Sequence, residues 1–371
     1  MFSRFFGELR HRLGRLDYTQ MLFAGVLVAI GVVTIYSTGQ QAGGHFADYW
    51  QRQLLWIGVG VVVFFVTSLI NHEWLGRHAW ILYGVALILL ALLLPFGRTL
   101  NGARSWLPLA GVTLQPSEFA KPATLLLLAW LAARPSLRLN RIHHIVPLLA
   151  VVAVPAVFIG LQPDWGTGLV FLTVTAVILF LAGLPWRWIL LAALAVIIIT
   201  PIAFSTVLSK KQRERITTFI TPGQDLSDTG WNAHQSLLAV GSGGLKGKGL
   251  MKGTQHVLGF LPRTVAPTDF IFSVIGEELG FLGAASIVFA YIGLLYRCLR
   301  AAARAPDDFG AYLAGGVAAL LFTHAYINIG MTIHAAPIIG IPLPLVSYGG
   351  SFMVSTLLCL GLVQSVYRNR Q

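Results

Sequence analysis

Charge is what this sequence has least of. Asp, Glu, Lys and Arg make up 11% of its 371 residues, whereas a soluble domain carries about 25%. Such a chain cannot clothe a water-facing surface, which excludes a soluble globular protein and leaves an all-α integral membrane protein. Acids are scarcer still, 14 against 26 basic residues, for a net charge of +12. The basic-aromatic motifs that would turn this balance into nucleic-acid binding are missing, so no nucleic-acid partner is expected, and Arg flanking membrane spans accounts for the excess. Cysteine is nearly absent: Cys298 and Cys359 make neither a disulfide framework nor a metal signature. The 10 histidines contain no H-E-x-x-H pair, so no zinc site is expected. No cleavable signal is read, because the first apolar run follows a basic start and is long enough to span.

What the chain has is apolar runs. A hydrocarbon core of about 30 Å needs about 20 helical residues. Ten runs meet this roughly, at 18–38, 53–70, 75–95, 117–133, 143–160, 166–182, 187–206, 269–296, 309–333 and 346–367. With both termini in the cytoplasm, the inside segments hold fourteen basic residues and the short outside loops three, Arg52, Arg98 and Arg104. This is the positive-inside bias. Residues 1–16 place Phe2, Phe5, Phe6, Leu9, Leu13 and Leu16 at helical spacing, an amphipathic helix on the inner surface. Residues 207–268 form the one large loop, extracytoplasmic in this topology, between spans 7 and 8. It is too apolar for disorder, and short helices resting on the membrane surface are expected in it. The whole of 1–371 reads as a single membrane domain.

Ionisable groups near hydrocarbon are functional until shown otherwise. Glu118, Lys121, Asp164 and Asp269 fall at span ends that open to one surface, which suits a reaction at one leaflet. Glu118 and Lys121 are three apart on one helix face. They make either a structural ion pair or a cation held for an anionic ligand, and Ser117 is a candidate N-cap beside them. Asp164 and Asp269 each open an apolar run, so each is either a helix cap or a catalytic carboxylate. A cap lowers a carboxyl pKa, whereas a general base needs it raised toward neutrality. Glu277 and Glu278 lie deep unless a partner neutralises them or 269–280 first runs along the surface; the second is expected. The stretch Gly241–Gly249 misses the phosphate-loop pattern at Ser242 and Gly249, so no nucleotide cofactor is expected. Its Lys246, Lys248 and Lys252 either sit on a flexible solvated loop or help bind a lipid-linked pyrophosphate. Pro337, Pro342 and Pro344 ahead of Ser347–Ser351 predict irregular backbone lining a cavity.

Four stretches carry a resemblance: NGARSWLPLAGVTLQPSEFAKP (Asn101 to Pro122), QPDWGTG (Gln162 to Gly168), Gly247 through PTDFIFSVIGEELGFLG to Gly283, and NIGMTIHAAPIIGIPLPLVSYGGS (Asn328 to Ser351). Together with the ten spans they make the chain resemble the SEDS family (shape, elongation, division and sporulation), and its short tails match the RodA branch. The resemblance implies a peptidoglycan glycosyltransferase that polymerises lipid II at the outer leaflet for elongation and shape. It implies as partners a class B penicillin-binding protein, a transpeptidase, and other elongation-complex membrane proteins, in the bacterial inner membrane. It makes Asp269 the essential residue and matches Glu118, Lys121 and Asp164 to family positions. Arg104, Trp106, Lys248, Glu277 and Ser347, in the same stretches, join as substrate-binding or supporting residues. The chain departs from the pattern at Arg263, Pro267 and His334, which stand where an acid, a His and a Gly are usual.

The chemistry expected is inverting transfer with Asp269 as general base. Lys121, Arg104 or a divalent cation (Mg or Mn, with Asp164 and Asp269 as candidate ligands) would neutralise the pyrophosphate. The alternatives are a flippase for the lipid-linked precursor and a non-catalytic scaffold for the transpeptidase. A carrier should show related halves and midplane charge, and neither is read here.

Overall fold

The computed structural model describes residues 13–100, 103–109, 112–162, 164–206, 208, 210–221 and 228–370. Every apolar run becomes a helix: α1 (Tyr18–Ala42), α2 (Tyr49–Leu69), the short α3 (His72–Arg77) leading into α4 (Ala79–Phe96), α5 (Pro116–Ala132), α6 (Ile142–Gly160), α7 (Trp165–Leu181), α8 (Trp186–Thr206), α11 (Ile271–Ala303), α12 (Asp308–Thr332) and α13 (Gly350–Arg368). Among the described residues, 7 of these helices are long and apolar enough to cross a membrane alone. Of the other four, α3 has 6 residues and α5 and α7 have 17 each. The large loop holds α9 (Lys210–Ile220) and α10 (Asp228–Ser242), the short helices its apolar residues call for. The amphipathic helix expected over 1–16 falls almost wholly outside the described residues.

The bundle has an inside and an outside. Of the most apolar windows, 83% of α12 and 89% of α13 is buried, against 22% for α2 and α4. The uncharged run 309–367 is therefore the centre of the molecule, and Gly and Ala along α12 let neighbours close in. One departure from an all-helical chain is a small antiparallel sheet, β1 (Arg98–Leu100), β2 (Ala103–Leu109) and β3 (Val112–Leu114), in that order. It leads from α4 into α5.

Helix α5 starts with Pro116 in its first position, where proline's missing N–H costs nothing. Its N-cap is Gln115, so Ser117 lies inside the helix and does not cap it. Pro122 removes the N–H that would have bonded the Glu118 carbonyl four residues back. That carbonyl is bonded by the Ser355 hydroxyl of α13 instead, at 2.6 Å. A gap in one helix's ladder thus fastens it to the next.

Helix α11 breaks at Gly280, whose φ is +67°. There a loop comes so close that a Cβ on Gly280 would lie 2.2 Å from Gly247 N, so only glycine fits. At its start, α1 is capped by Asp17, which bonds Thr19 N and Gln20 N and pairs with Arg297 Nε of α11 at 2.6 Å.

Removing the Ser355 hydroxyl should leave the buried Glu118 carbonyl unbonded, at a cost of about 1–3 kcal/mol. The Ser355→Ala variant should unfold at lower temperature, and the loss should shrink when Pro122→Ala restores the helix N–H. Equal losses in both backgrounds would contradict this pairing.

Candidate active site

Asp269 sits in a series of turns, two residues ahead of α11 and outside the span. Three successive carbonyls hold this segment. Pro267 O accepts from Tyr348 N at 2.9 Å, Thr268 O from Ser347 Oγ at 2.5 Å, and Asp269 O from Asn328 Nδ2 at 2.9 Å. Asn328 also donates to Ile341 O at 2.7 Å, and Ser347 Oγ accepts from Leu343 N at 2.8 Å. Two side chains therefore tie the acidic segment to the irregular run 337–349, the non-helical backbone the proline cluster predicts.

The carboxylate itself is left free. The N-cap of α11 is Phe270, with no side-chain cap bond, so Asp269 does not cap the helix. Among the described residues its carboxylate accepts no hydrogen bond. Gly340, at φ +79°, passes so close that a Cβ there would be 3.3 Å from Asp269 Oδ2. Burial pushes the Asp269 carboxyl up to about 6, against the pull of the Arg215 guanidinium and with help from the Asp164 charge. Asp164 has taken the other of its two readings. It is the N-cap of α7, accepting from Thr167 N at 3.2 Å and from Thr167 Oγ1 at 2.9 Å.

Beneath them, Lys121 Nζ lies 2.8 and 2.7 Å from the two Glu118 oxygens, both residues buried. Lys121 is thus a paired cation at rest. It also meets His324 Nε2 at 3.1 Å, and His324 Nδ1 faces Pro342 O at 3.3 Å. An ammonium only donates, so Nε2 accepts and the ring proton on Nδ1 is directed at Pro342. His324 and Asn328 are four apart on α12, one turn on one face. That polar pair, in a helix with no charge after Asp308, was the signal available in the sequence. His324 reads there as a packed polar residue, and the structure adds that it links Lys121 to the run 337–349.

Arg215, which the sequence reading passed over within the run Lys210–Arg215, is the added candidate. It stands on α9, donates to Ile339 O at 3.0 Å and lies in electrostatic range of Asp269. Arg104 is engaged elsewhere, donating to Gly97 O and Pro95 O at 2.8 and 3.1 Å, where it satisfies the end of α4. Trp106 is half-buried in β2, opposite Arg98. Glu277 and Glu278 have partners, which corrects the expectation that 269–280 avoids burial by lying along the surface. Glu277 Oε1 accepts from Lys248 Nζ at 2.6 Å and Thr254 N at 2.7 Å, and Glu278 Oε1 from Ser37 Oγ at 2.6 Å. His256 lies between the two carboxylates, 3.6 and 3.5 Å away. Lys248 and Gly247 therefore clamp the kink of α11, while Lys246 and Lys252 of the same stretch stay exposed.

Among the described residues no three His, Cys, Asp or Glu side chains gather into a metal cage. Asp164 and Asp269 are close enough for their charges to interact, and a cation such as Mg²⁺, which keeps most of its ligands as water and phosphate, needs only one or two carboxylates.

The family profile described as "Cell cycle protein" (FtsW, RodA, SpoVE) matches residues 17–371. Peptidoglycan glycosyltransferase MrdB of Escherichia coli K12 is 37% identical over 360 residues, 96% of this chain and 94% of that one. Stage V sporulation protein E of Bacillus subtilis is 33% identical over 95% of this chain and 97% of its own length. Among solved structures, a chain from work on polymerization and crosslinking by a peptidoglycan synthase complex superposes with a TM-score of 0.81 at 31% identity, covering 96% of this chain and 98% of that one. The rod shape determining protein RodA of Thermus thermophilus gives 0.69 at 31% identity, covering 96% and 97%.

In the reconstituted protein, an infrared band lost in Asp269→Asn should report protonation of this carboxyl with a midpoint near pH 6. Arg215→Gln should move the midpoint up and Asp164→Asn, which can still cap, should move it down. A midpoint near the ordinary carboxylate value of about 4 would contradict the assignment.

Proposed function

Because the chain belongs to the FtsW, RodA and SpoVE family, it is a peptidoglycan glycosyltransferase, and we propose that it polymerises lipid II at the extracytoplasmic surface with Asp269 as general base. The observation that carries this reading is the uncapped Asp269 carboxylate, fixed through its backbone and raised to about 6. Such a group is ionised at neutral pH and remains basic enough to take a proton from a hydroxyl.

The reaction is an inverting displacement. The 4-hydroxyl of the acceptor GlcNAc gives its proton to Asp269 as its oxygen attacks C1 of the donor MurNAc. The bond from C1 to the phosphate oxygen breaks, and the electron pair leaves with undecaprenyl pyrophosphate. The leaving group needs positive charge. Arg215 is the cation that faces Asp269, whereas Lys121 is neutralised by Glu118 and acts through the His324–Pro342 link on the shape of the site. A divalent cation, Mg or Mn, held by Asp164 and Asp269 together with substrate phosphates, would supply the remaining charge.

The chain is a multi-pass membrane protein, and on this reading it crosses the bacterial inner membrane ten times with the Asp269 surface outside. A class B penicillin-binding protein is the partner that fits, since the similar solved chain belongs to a synthase complex that joins polymerization to crosslinking. Other elongation-complex membrane proteins complete the expected set.

Replacing Asp269 by Ala should lower lipid II polymerisation in vitro by about 10²–10⁴-fold while leaving the thermal unfolding of the purified protein unchanged. Polymer formed by the folded alanine variant at the wild-type rate would refute the role of base.

A further inference from the structure

On the opposite surface, a cavity of about 340 Å³ opens between the α5–α6 linker and the α7–α8 turn, lined by Arg138, Leu139, Asn140, Arg141, Ala182 and Gly183. It lies on the side where the chain's arginines gather and has no part in the chemistry of Asp269. Its two rims are held together, because Arg187 of α8 donates to Asn140 O at 2.8 Å. The linker is shaped by its own bonds, Arg138 N to His144 Nδ1 at 2.8 Å and Arg141 N to Arg138 O at 3.0 Å.

Arg138 and Arg141 are not used on the helix end beside them. A cationic side chain beside a helix end usually serves its last carbonyls. Here α7 ends in a turn that satisfies them internally, Leu184 N to Leu179 O and Gly183 N to Phe180 O, both at 3.0 Å, with Gly183 at φ +81°. Among the described residues the Arg138 and Arg141 guanidiniums have no hydrogen-bond or ion-pair partner. Neither 134–144 nor 182–188 contains an acid. Helix α6 starts at the cavity with Arg141 as its N-cap and no side-chain cap bond, which adds unpaired N–H groups to the same positive corner.

Apolar tracks lead away from both rims. On α6, Ile142, Val146 and Leu149 are 56%, 54% and 45% exposed; on α8, Trp186, Leu190 and Leu194 are 69%, 52% and 52% exposed. Each set falls at helical spacing on one face. A ligand suited to both features carries a phosphate at one end and hydrocarbon at the other.

We infer that this cavity is a binding site for the headgroup of an anionic phospholipid of the inner leaflet, with Arg138 and Arg141 as its phosphate ligands. Paired guanidiniums bind phosphate through parallel N–H bonds, and basic pockets between helices on the cytoplasmic side suit anionic lipid headgroups.

Native mass spectrometry of the full chain in detergent tests this, with dioleoyl phosphatidylglycerol, dioleoyl phosphatidylcholine and inorganic phosphate as probes. The wild type should retain phosphatidylglycerol in preference to phosphatidylcholine. The Arg138→Ala/Arg141→Ala variant should bind it about tenfold more weakly. Arg300→Ala/Arg304→Ala, which removes equal charge elsewhere on that surface, should bind like the wild type. The charge-preserving Arg138→Lys/Arg141→Lys variant guards against misfolding and should fall between wild type and alanine, because Lys lacks the planar fork. Unchanged binding by the first variant, or equal loss in the Arg300/Arg304 control, would overturn the site. Displacement of the lipid by millimolar inorganic phosphate would overturn the lipid as its ligand.

Discussion

Backbone that leaves a helix inside a membrane protein must find partners for its carbonyls, since lipid offers none. In the run 337–349 five carbonyls meet this demand with side chains, while Leu343 O and Gly349 O accept from backbone N–H groups. Arg215 serves Ile339, Asn328 serves Ile341, His324 serves Pro342, Tyr291 serves Pro344 and Gln53 serves Ser347. These donors come from α9, α12, α11 and α2, so the irregular run is the hub on which separate helices agree. The same set fixes the acid. Asn328 holds Asp269 O, and Ser347 and Tyr348 hold the two residues before it. An unbonded carboxylate can be kept in place because its backbone, not its side chain, carries the positional constraint.

Most of the other ionisable groups are engaged within the frame. Glu118 with Lys121 and Asp17 with Arg297, both buried, and Glu277 with the half-buried Lys248 are pairs that join elements distant in sequence or close a helix turn. Asp164 caps a helix. Asp269 and Arg215 remain, one free carboxylate and one cation within range of it.

Much of the fold was legible because lipid simplifies the code. Apolar runs of spanning length became helices, most with boundaries shifted by only a few residues, as at 187–206 against Trp186–Thr206, while 269–296 extends to Ala303. The proline cluster 337–344 gave irregular backbone for the reason expected of it. The sheet at 98–114 was not legible, since its three strands are short, with no alternation long enough to read. The site was half legible. Charge at span ends pointed to Asp269 and Asp164, but the choice between cap and base depends on where a neighbouring loop passes, which no local pattern encodes. Arg215 was hidden in a charged run that looks solvated. The pairing of Glu277 with Lys248 depends on a glycine contact between Gly247 and Gly280. His334, at the position where the family usually has a Gly, adopts φ +59°, so the departure keeps the left-handed turn.

The central claim is that the proton of the acceptor hydroxyl passes to a carboxylate held near neutrality. Its most direct test is the pH dependence of initial polymerisation rate, measured at subsaturating lipid II between pH 5 and 8. The account predicts a rate that rises with unit slope on a logarithmic scale until it levels near pH 6, the value set by burial of Asp269. A rate that stays flat across that range would contradict it.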